Sequence, residues 1–296
     1  MPLNVLREAG RVLGLLVYAT NTKRRRVTRV NLGIAFPNLS KAGREKQVRK
    51  HLMSLGMALL DRVWLWFAPL NTVYARCTLS GLSNLTEQHA AGRAIILLVP
   101  HFAGLDAANP AIAGACLHAN FVRDSTASPT SAVPPLVTIF QPQRSAWQDT
   151  LFRHGRGRFH DALQYTRHDG IRPVIKAMKA GRWYYCLPDN DFGATDAVFV
   201  PFFGKDCATL TVLPRLAKMM NAAVIPVITR MNATGYHTEI LPEMTAFHTL
   251  ETEAACTMLN AHIEAWIAPC PEQYLFSHRR YKTRPPGEPN EERNVY

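Results

Sequence analysis

The apolar positions change rhythm along this chain. Over the first 35 residues they keep a helical period, with Leu6, Ala9, Leu13 and Leu16 on one face of an amphipathic segment. Phe36-Pro37-Asn38-Leu39-Ser40 then reads as a turn, and Ser40 offers an N-cap. Residues 41–67 predict a long helix whose apolar members include Val48, Leu52, Leu55, Leu59 and Val63. It closes on Trp64-Leu65-Trp66-Phe67 before Pro69, an end that suits either core packing or a membrane interface.

From residue 75 the pattern alternates between short apolar runs and amphipathic stretches. Residues 94–99 are unbroken apolar, as in a strand buried on both faces. Val122 ends another candidate strand, and 183–187, 223–230 and 236–241 read as further strands. Helices are expected over 169–179, capped by Asp169 with Pro173 in the first turn, and over 210–220 and 249–267. Residues 197–203 form a short apolar segment closed by Gly204. This alternation predicts an α/β fold, a mostly parallel central sheet flanked by helices. The expected organisation is a basic, membrane-associating helical segment over 1–70 packed on the core, an α/β core over 71–288, and a loose tail over 289–296.

Composition sharpens this picture. Of 296 residues, 47% are hydrophobic and 19% charged, against roughly 25% charged in typical soluble domains. So apolar a chain is not disordered. The net charge is +12, and residues 1–50 hold twelve basic and two acidic side chains. The excess is therefore local, and it suits an anionic membrane surface or an acidic partner protein. No uncharged apolar run approaches the ~20 residues of a spanning helix. The run from Val12 ends at Lys23-Arg24-Arg25-Arg26 with no A-x-A cleavage site, unlike a signal peptide. The six cysteines form no CxxC pair and are expected to be buried free thiols. A phosphate-binding P-loop, an HExxH zinc motif and a GxSxG nucleophile elbow are all missing. Gly155-Arg156-Gly157 begins like a dinucleotide loop, but His160 stands where the third glycine belongs.

The most informative residues are Val99-Pro100-His101-Phe102-Ala103-Gly104-Leu105-Asp106. A buried strand delivers His101 at its carboxyl end, where active sites of open α/β sheets gather. Asp106 follows in the first turn of the next helix. There it is expected to accept a hydrogen bond from one imidazole nitrogen and leave the other free as a base. Spacing alone is weak, since chance yields about 0.8 His-x4-acid pairs in a chain of this composition. The second such pair, His248 and Glu253, has no strand leading into its histidine and reads as a decoy.

Other stretches leave alternatives open. Arg153, Arg156 and Arg158 suit phosphate or carboxylate, or a solvated loop. Asp189 and Asp191 suggest a structured turn more than a metal site, since no histidine or third acid is close in sequence. Residues 198–204 wall a lipid groove or pack the core, and Thr209 or Thr211 caps a helix whose N-terminus suits phosphate. The arginine- and tyrosine-containing stretch 277–284 reads as a nucleic-acid patch or a solvated tail.

Taken in order, these motifs resemble the late acyltransferases of lipid A biosynthesis, the lauroyl/myristoyl family within the HxxxxD/E glycerolipid acyltransferase group. Asn31-Leu32 to Phe36-Pro37 looks like the family's entry motif, and His101 to Asp106 like its catalytic box. Gln143-Arg144 through Arg156-Gly157-Arg158-Phe159 is similar to the second block. Pro188 to Gly193 with Val200 to Gly204 and Ala208-Thr209 is similar to the third, and Pro226 with Arg230 to the fourth. His278 to Pro285 resembles the terminal motif, so the likeness spans roughly residues 25–288.

The resemblance implies fatty acyl transfer from acyl carrier protein to a hydroxyl of a lipid A precursor. His101 would be the general base, Asp106 its partner, and no acyl-enzyme would form. Arg156, Arg158 and Arg230 would bind substrate phosphate or stabilise developing charge, and Asp189 would position its neighbours. No cofactor, metal or nucleic acid is expected, and the implied location is the cytoplasmic face of the bacterial inner membrane. Two rival expectations remain. One keeps the chemistry but acylates a lysophospholipid or an amino-acid lipid. The other is a non-enzymatic basic protein that binds membrane or nucleic acid.

Overall fold

A computed structural model describes residues 2–117, 135–143, 145–288 and 294–296. The expected strand end at Val122 and the motif residue Arg144 lie outside these described residues. The chain opens with four helices: α1 (Leu3–Thr20), α2 (Thr22–Ala35), α3 (Lys41–Phe67) and α4 (Leu70–Tyr74). The break between the first two follows Asn21, whose side chain accepts the Arg24 amide. Ser40 caps α3 by accepting the Gly43 amide at 3.1 Å, as the turn before it predicts.

The core then runs β1 (Cys77–Ser80), α5 (Ser83–Ala90), β2 (Ile95–Leu98), α6 (Ala108–Leu117), β3 (Leu136–Phe140), α7 (Ala146–Gly157), β4 (Ala162–Thr166), α8 (Arg172–Lys179) and β5 (Trp183–Cys186). It continues with β6 (Ala197–Phe202), β7 (Lys205–Leu210), α9 (Val212–Met220), β8 (Ala223–Met231), β9 (Tyr236–Ile240) and α10 (Thr252–Ile267). Seven strands form one sheet in the order β1-β9-β8-β2-β5-β3-β4. Every neighbouring pair is parallel except β8 with β9, and β6 with β7 makes a separate antiparallel hairpin. The expected mostly parallel α/β sheet is therefore present.

Strand geometry sorts the core into two layers. Successive side chains point to opposite faces. Ile95, Leu97 and Val99 accordingly join Ala111, Ile112 and Ile225 on one side of the sheet, while Ile96 and Leu98 join Val224, Leu259 and Ile263 on the other. A central strand buried on both faces has no polar position, which explains the unbroken apolar run before His101. All six cysteines are buried and free.

One local expectation changes and two open readings are decided. Asp169 does not cap α8; its carboxylate turns back to the Thr166 amide and hydroxyl, closing a one-turn 3-10 helix instead. Phe202 of the 197–203 segment is buried against Tyr274 and Tyr281, so this segment packs the core. The stretch 277–284 is not a solvated tail, while residues 289–293 of the expected loose tail lie outside the described residues. Arg280 is buried and donates to Ala208 O and Thr209 Oγ1, the Tyr281 hydroxyl donates to Phe202 O, and Thr283 donates to both Asp191 oxygens. Even the chain end is docked, through the Tyr296 hydroxyl on Asn31 Oδ1 at 2.6 Å.

One core group gives a pH-dependent stability. His51 of α3 is 3% exposed, and burial is the main cause that lowers its pKa from 6.5 to about 4. Between those values the unfolded chain binds more protons, so stability rises with pH. The contribution is complete above about 6.5 and is lost as pH falls through about 4. At about 1.4 kcal/mol per pKa unit, it is on the order of 3 kcal/mol. Urea unfolding at pH 7 and pH 5 is expected to show a steeper loss in the wild type than in His51→Phe.

Candidate active site

Two neighbouring strands build the centre of the site. β2 and β5 run parallel with Leu98 level with Cys186. Three residues beyond each lie His101, after Val99-Pro100, and Asp189, after Leu187-Pro188. The pair meets at the carboxyl edge of the sheet. His101 Nδ1 lies 2.6 Å from Asp189 Oδ1, and the His101 backbone amide donates to Asp189 Oδ2 at 2.8 Å. The Tyr274 hydroxyl lies near this carboxylate: burial, and then the Asp189 charge, push its pKa up.

This geometry corrects the expected partnership. The carboxylate five positions on is engaged elsewhere, because Asp106 Oδ2 accepts Arg62 Nε from α3 at 2.8 Å. The physical reason is the one-turn 3-10 helix over Leu105–Ala107, which follows a close approach of Gly104 to β8. A Cβ on Gly104 would stand 2.8 Å from Thr229 O. That tight path sends Asp106 towards α3, while the adjacent strand supplies His101 with its carboxylate.

The tautomer follows. Nδ1 donates to a carboxylate that can only accept, so Nε2 carries the lone pair. Asn190 Nδ2 lies 3.2 Å from that nitrogen. Burial alone would push the Asp189 carboxyl up, but attraction to His101 and its hydrogen bonds hold it below the usual carboxylate range. The carboxylate therefore keeps its charge above and through that range and loses it only as pH falls through the lower folded value. Asp106 behaves alike: burial raises it, and the charges of Arg62 and Arg156 more than reverse this.

A cavity of about 340 Å³ opens beside the imidazole, lined by His101, Asp106, Arg156, Asn190 and apolar side chains including Leu105, Ile139 and Phe192. Ile139, Phe140, Gln141, Leu187 and Phe192 also wall a second cavity of about 310 Å³, which extends to Leu210 and Leu213. Together they offer a largely apolar space with a base at one end. Arg156 makes no ion pair with any described residue and lies over the Phe152 ring. Burial, partly offset by Asp106 and reinforced by Arg62, lowers its pKa, yet an arginine stays charged. Two guanidinium groups thus face one carboxylate, leaving a positive charge at the cavity.

The other expected substrate-binding arginines do not reach this space. Arg158 donates to Leu65 O at 2.7 Å and to Ala68 O, so it satisfies the carbonyls that end α3. Arg230 lies beyond Phe102, where it bonds Glu239, Cys270 Sγ and the Trp266 carbonyl. The acids at 189 and 191 also have separate tasks, since Asp191 ties down Gly193 and Thr283. Among the described residues no group of three His, Cys, Asp or Glu side chains is placed to hold a metal. Sequence reasoning missed Arg62, Asn190 and Tyr274. Arg62 carries no local signal, whereas the matched strand-Pro pattern before His101 and Asp189 was a usable one.

Comparison with known proteins agrees over almost the whole chain. A family model described as bacterial lipid A biosynthesis acyltransferase matches residues 1–283. The chain is 30% identical over 291 residues to the lipid A biosynthesis palmitoleoyltransferase of Escherichia coli, covering 97% of this chain and 88% of that one. It is 31% identical over 278 residues to a lipid A biosynthesis acyltransferase of Haemophilus influenzae, covering 93% and 81%. The E. coli lauroyltransferase is 29% identical over 293 residues, covering 98% and 89%.

Proposed function

Since this chain belongs to the bacterial lipid A biosynthesis acyltransferase family, and is an acyltransferase, we propose that it carries a fatty acyl group from the thioester of acyl carrier protein to a hydroxyl of a lipid A precursor, with His101 as general base. The observation that carries this reading is the imidazole fixed on Asp189, with its free nitrogen beside an apolar cavity.

In this mechanism Nε2 takes the proton of the acceptor hydroxyl, which replaces Asn190 as its partner. The oxygen attacks the thioester carbonyl, and a tetrahedral oxyanion forms. Collapse breaks the carbon–sulfur bond, and the leaving thiolate takes the proton back from the imidazolium. Asp189 orients the ring and balances its transient charge. Arg156, held near Asp106 and Arg62, supplies positive charge to the oxyanion or to a substrate phosphate. Direct attack also suits the thiols. Cys186, the cysteine at the end of β5, is pushed up to about 12 by burial and is a poor nucleophile there.

No helix among the described residues is long and apolar enough to cross a membrane. The +10 carried by residues 1–50 favours work at an anionic membrane surface, which for a lipid A precursor is the cytoplasmic face of the inner membrane. The same cluster suits an acidic carrier protein. Mass spectrometry of lipid A from a strain lacking this chain is the test. Loss of one acyl group is expected, and the mass difference gives its length. Unchanged lipid A with altered phospholipids or amino-acid lipids would assign the same chemistry to another acceptor.

A further inference from the structure

Residues 273–283 follow the last helix and touch both halves of the site. The Ala103 amide donates to Gln273 O at 2.7 Å, and the Leu275 amide to His101 O at 3.1 Å. The segment therefore braces the loop that carries the imidazole. It then reaches the turn that carries the carboxylate. The Asp191 amide donates to His278 Nε2 at 3.1 Å. Thr283 donates to the Asp191 carboxylate twice, from its amide at 2.9 Å and from its hydroxyl at 2.8 Å. The segment is itself anchored on α2, where Asn31 Nδ2 donates to the Phe276 and His278 carbonyls, each at 2.7 Å.

One residue, Asn190, separates these anchors on Asp191 from Asp189. Asp189 holds Nδ1 of His101, and Asn190 Nδ2 stands 3.2 Å from Nε2. The placement of one short turn thus sets what both ring nitrogens meet. We propose that His278 is a positioning residue for the acyl transfer: as an uncharged acceptor of the Asp191 amide, it fixes the turn that holds Asp189 and Asn190 against His101. The inference rests on the reading of His101 as general base and adds the group that keeps its partners in place.

The chemistry of the ring suits this task. Nε2 accepts an N–H, so the proton of the neutral ring lies on Nδ1. Burial first, and then the charges of His101, Lys282 and Arg280, lower its pKa from 6.5 to about 4, with Asp189 opposing them. At neutral pH the ring is therefore an acceptor without charge. A protonated ring could not accept the amide. Its charge would also disfavour the imidazolium that His101 becomes when it takes a proton. A lysine or arginine at this place would do the same harm, whereas a neutral acceptor holds the turn and leaves the base unperturbed.

The test is steady-state transfer from acyl carrier protein to lipid A precursor across a pH series, with thermal unfolding, for His278→Leu, His278→Gln and Thr283→Val in the full chain. His278→Leu is expected to lose roughly 10- to 100-fold in kcat, with KM within a few-fold of wild type. A loosened Asp189 supports the imidazolium less, so the acidic limb of the kcat profile should move to lower pH. Loss of folded protein alone would lower the rate and leave that limb in place. His278→Gln, whose amide oxygen stands in for Nε2, is expected to restore most of the rate and the limb. Thr283→Val, which removes one hydroxyl bond to Asp191, should show a smaller change in the same direction and carries the comparison if His278→Leu does not fold. A folded His278→Leu with kcat within a few-fold of wild type, a limb that stays put while kcat falls, or no rescue by glutamine would each overturn the proposal. Absence of transfer by the wild type would instead strike the acyl-transfer reading. Nitrogen-15 spectra would then still read the His278 ring, and a proton on its Nε2 at neutral pH would overturn the positioning role by itself.

Discussion

Alanine at His101 is expected to lower turnover by roughly 10² to 10⁴, the usual range for a positioned general base. Among the described residues, the substitution removes the one ring nitrogen that lies beside the cavity with its partner ring atom already fixed on a carboxylate. It should leave the fold intact. The imidazole is partly open to the cavity, with its side chain 18% exposed, and no core layer depends on it. Thermal unfolding close to that of the wild type, together with the kinetic loss, is the expected signature. The assay is transfer of labelled acyl group from acyl carrier protein to lipid A precursor. Turnover within a few-fold of wild type would remove His101 from the chemistry.

The second large effect separates two aspartates that adjacent motifs make look equivalent. Asp189→Asn is expected to cost roughly 10² or more in kcat. The carboxylate offers one oxygen to the backbone amide and the other to Nδ1; asparagine turns one of these acceptors into an NH2 donor and brings no charge to balance an imidazolium. Substrate affinity should change little, since Asp189 is shielded from the cavity by the ring it holds. Asp106→Asn should act chiefly on stability. It leaves Arg62 and Arg156 facing one another without a counter-charge in a partly buried place. For a pair of this exposure the cost is about 1 to 3 kcal/mol, below that of a fully buried pair. Differential scanning calorimetry and steady-state kinetics on both variants distinguish these outcomes. If Asp106→Asn were the kinetically dead variant and Asp189→Asn the unstable one, the assignments here would be reversed.

Much of this site was legible before its geometry was known. A wholly apolar strand ending in Pro-His marks the carboxyl edge of a parallel sheet, and His101 stands there. The error lay in choosing its partner by distance along the chain. Parallel strands place residues 88 apart side by side, and Leu187-Pro188-Asp189 repeats the form of Val99-Pro100-His101 on the adjoining strand. Arg62 was hidden for a different reason. It sits in a long helix whose apolar stripe absorbs attention, and its role depends on how that helix crosses the sheet. Strand β4, half-buried throughout, shows no clean alternation at the sheet edge and went unread. In α1, hydrophobic periodicity reported the helix correctly but not which face packs, because glycine pairs let two backbones meet without large side chains.

The account stands on one proton at one ring position, and nitrogen-15 spectra of histidine-labelled protein read it directly. In the neutral form of the ring the proton is expected on Nδ1, its signal strongly downfield, unchanged in Asp106→Asn and lost in Asp189→Asn. A proton found on Nε2, or a signal that disappears with Asp106 and survives the loss of Asp189, would contradict it.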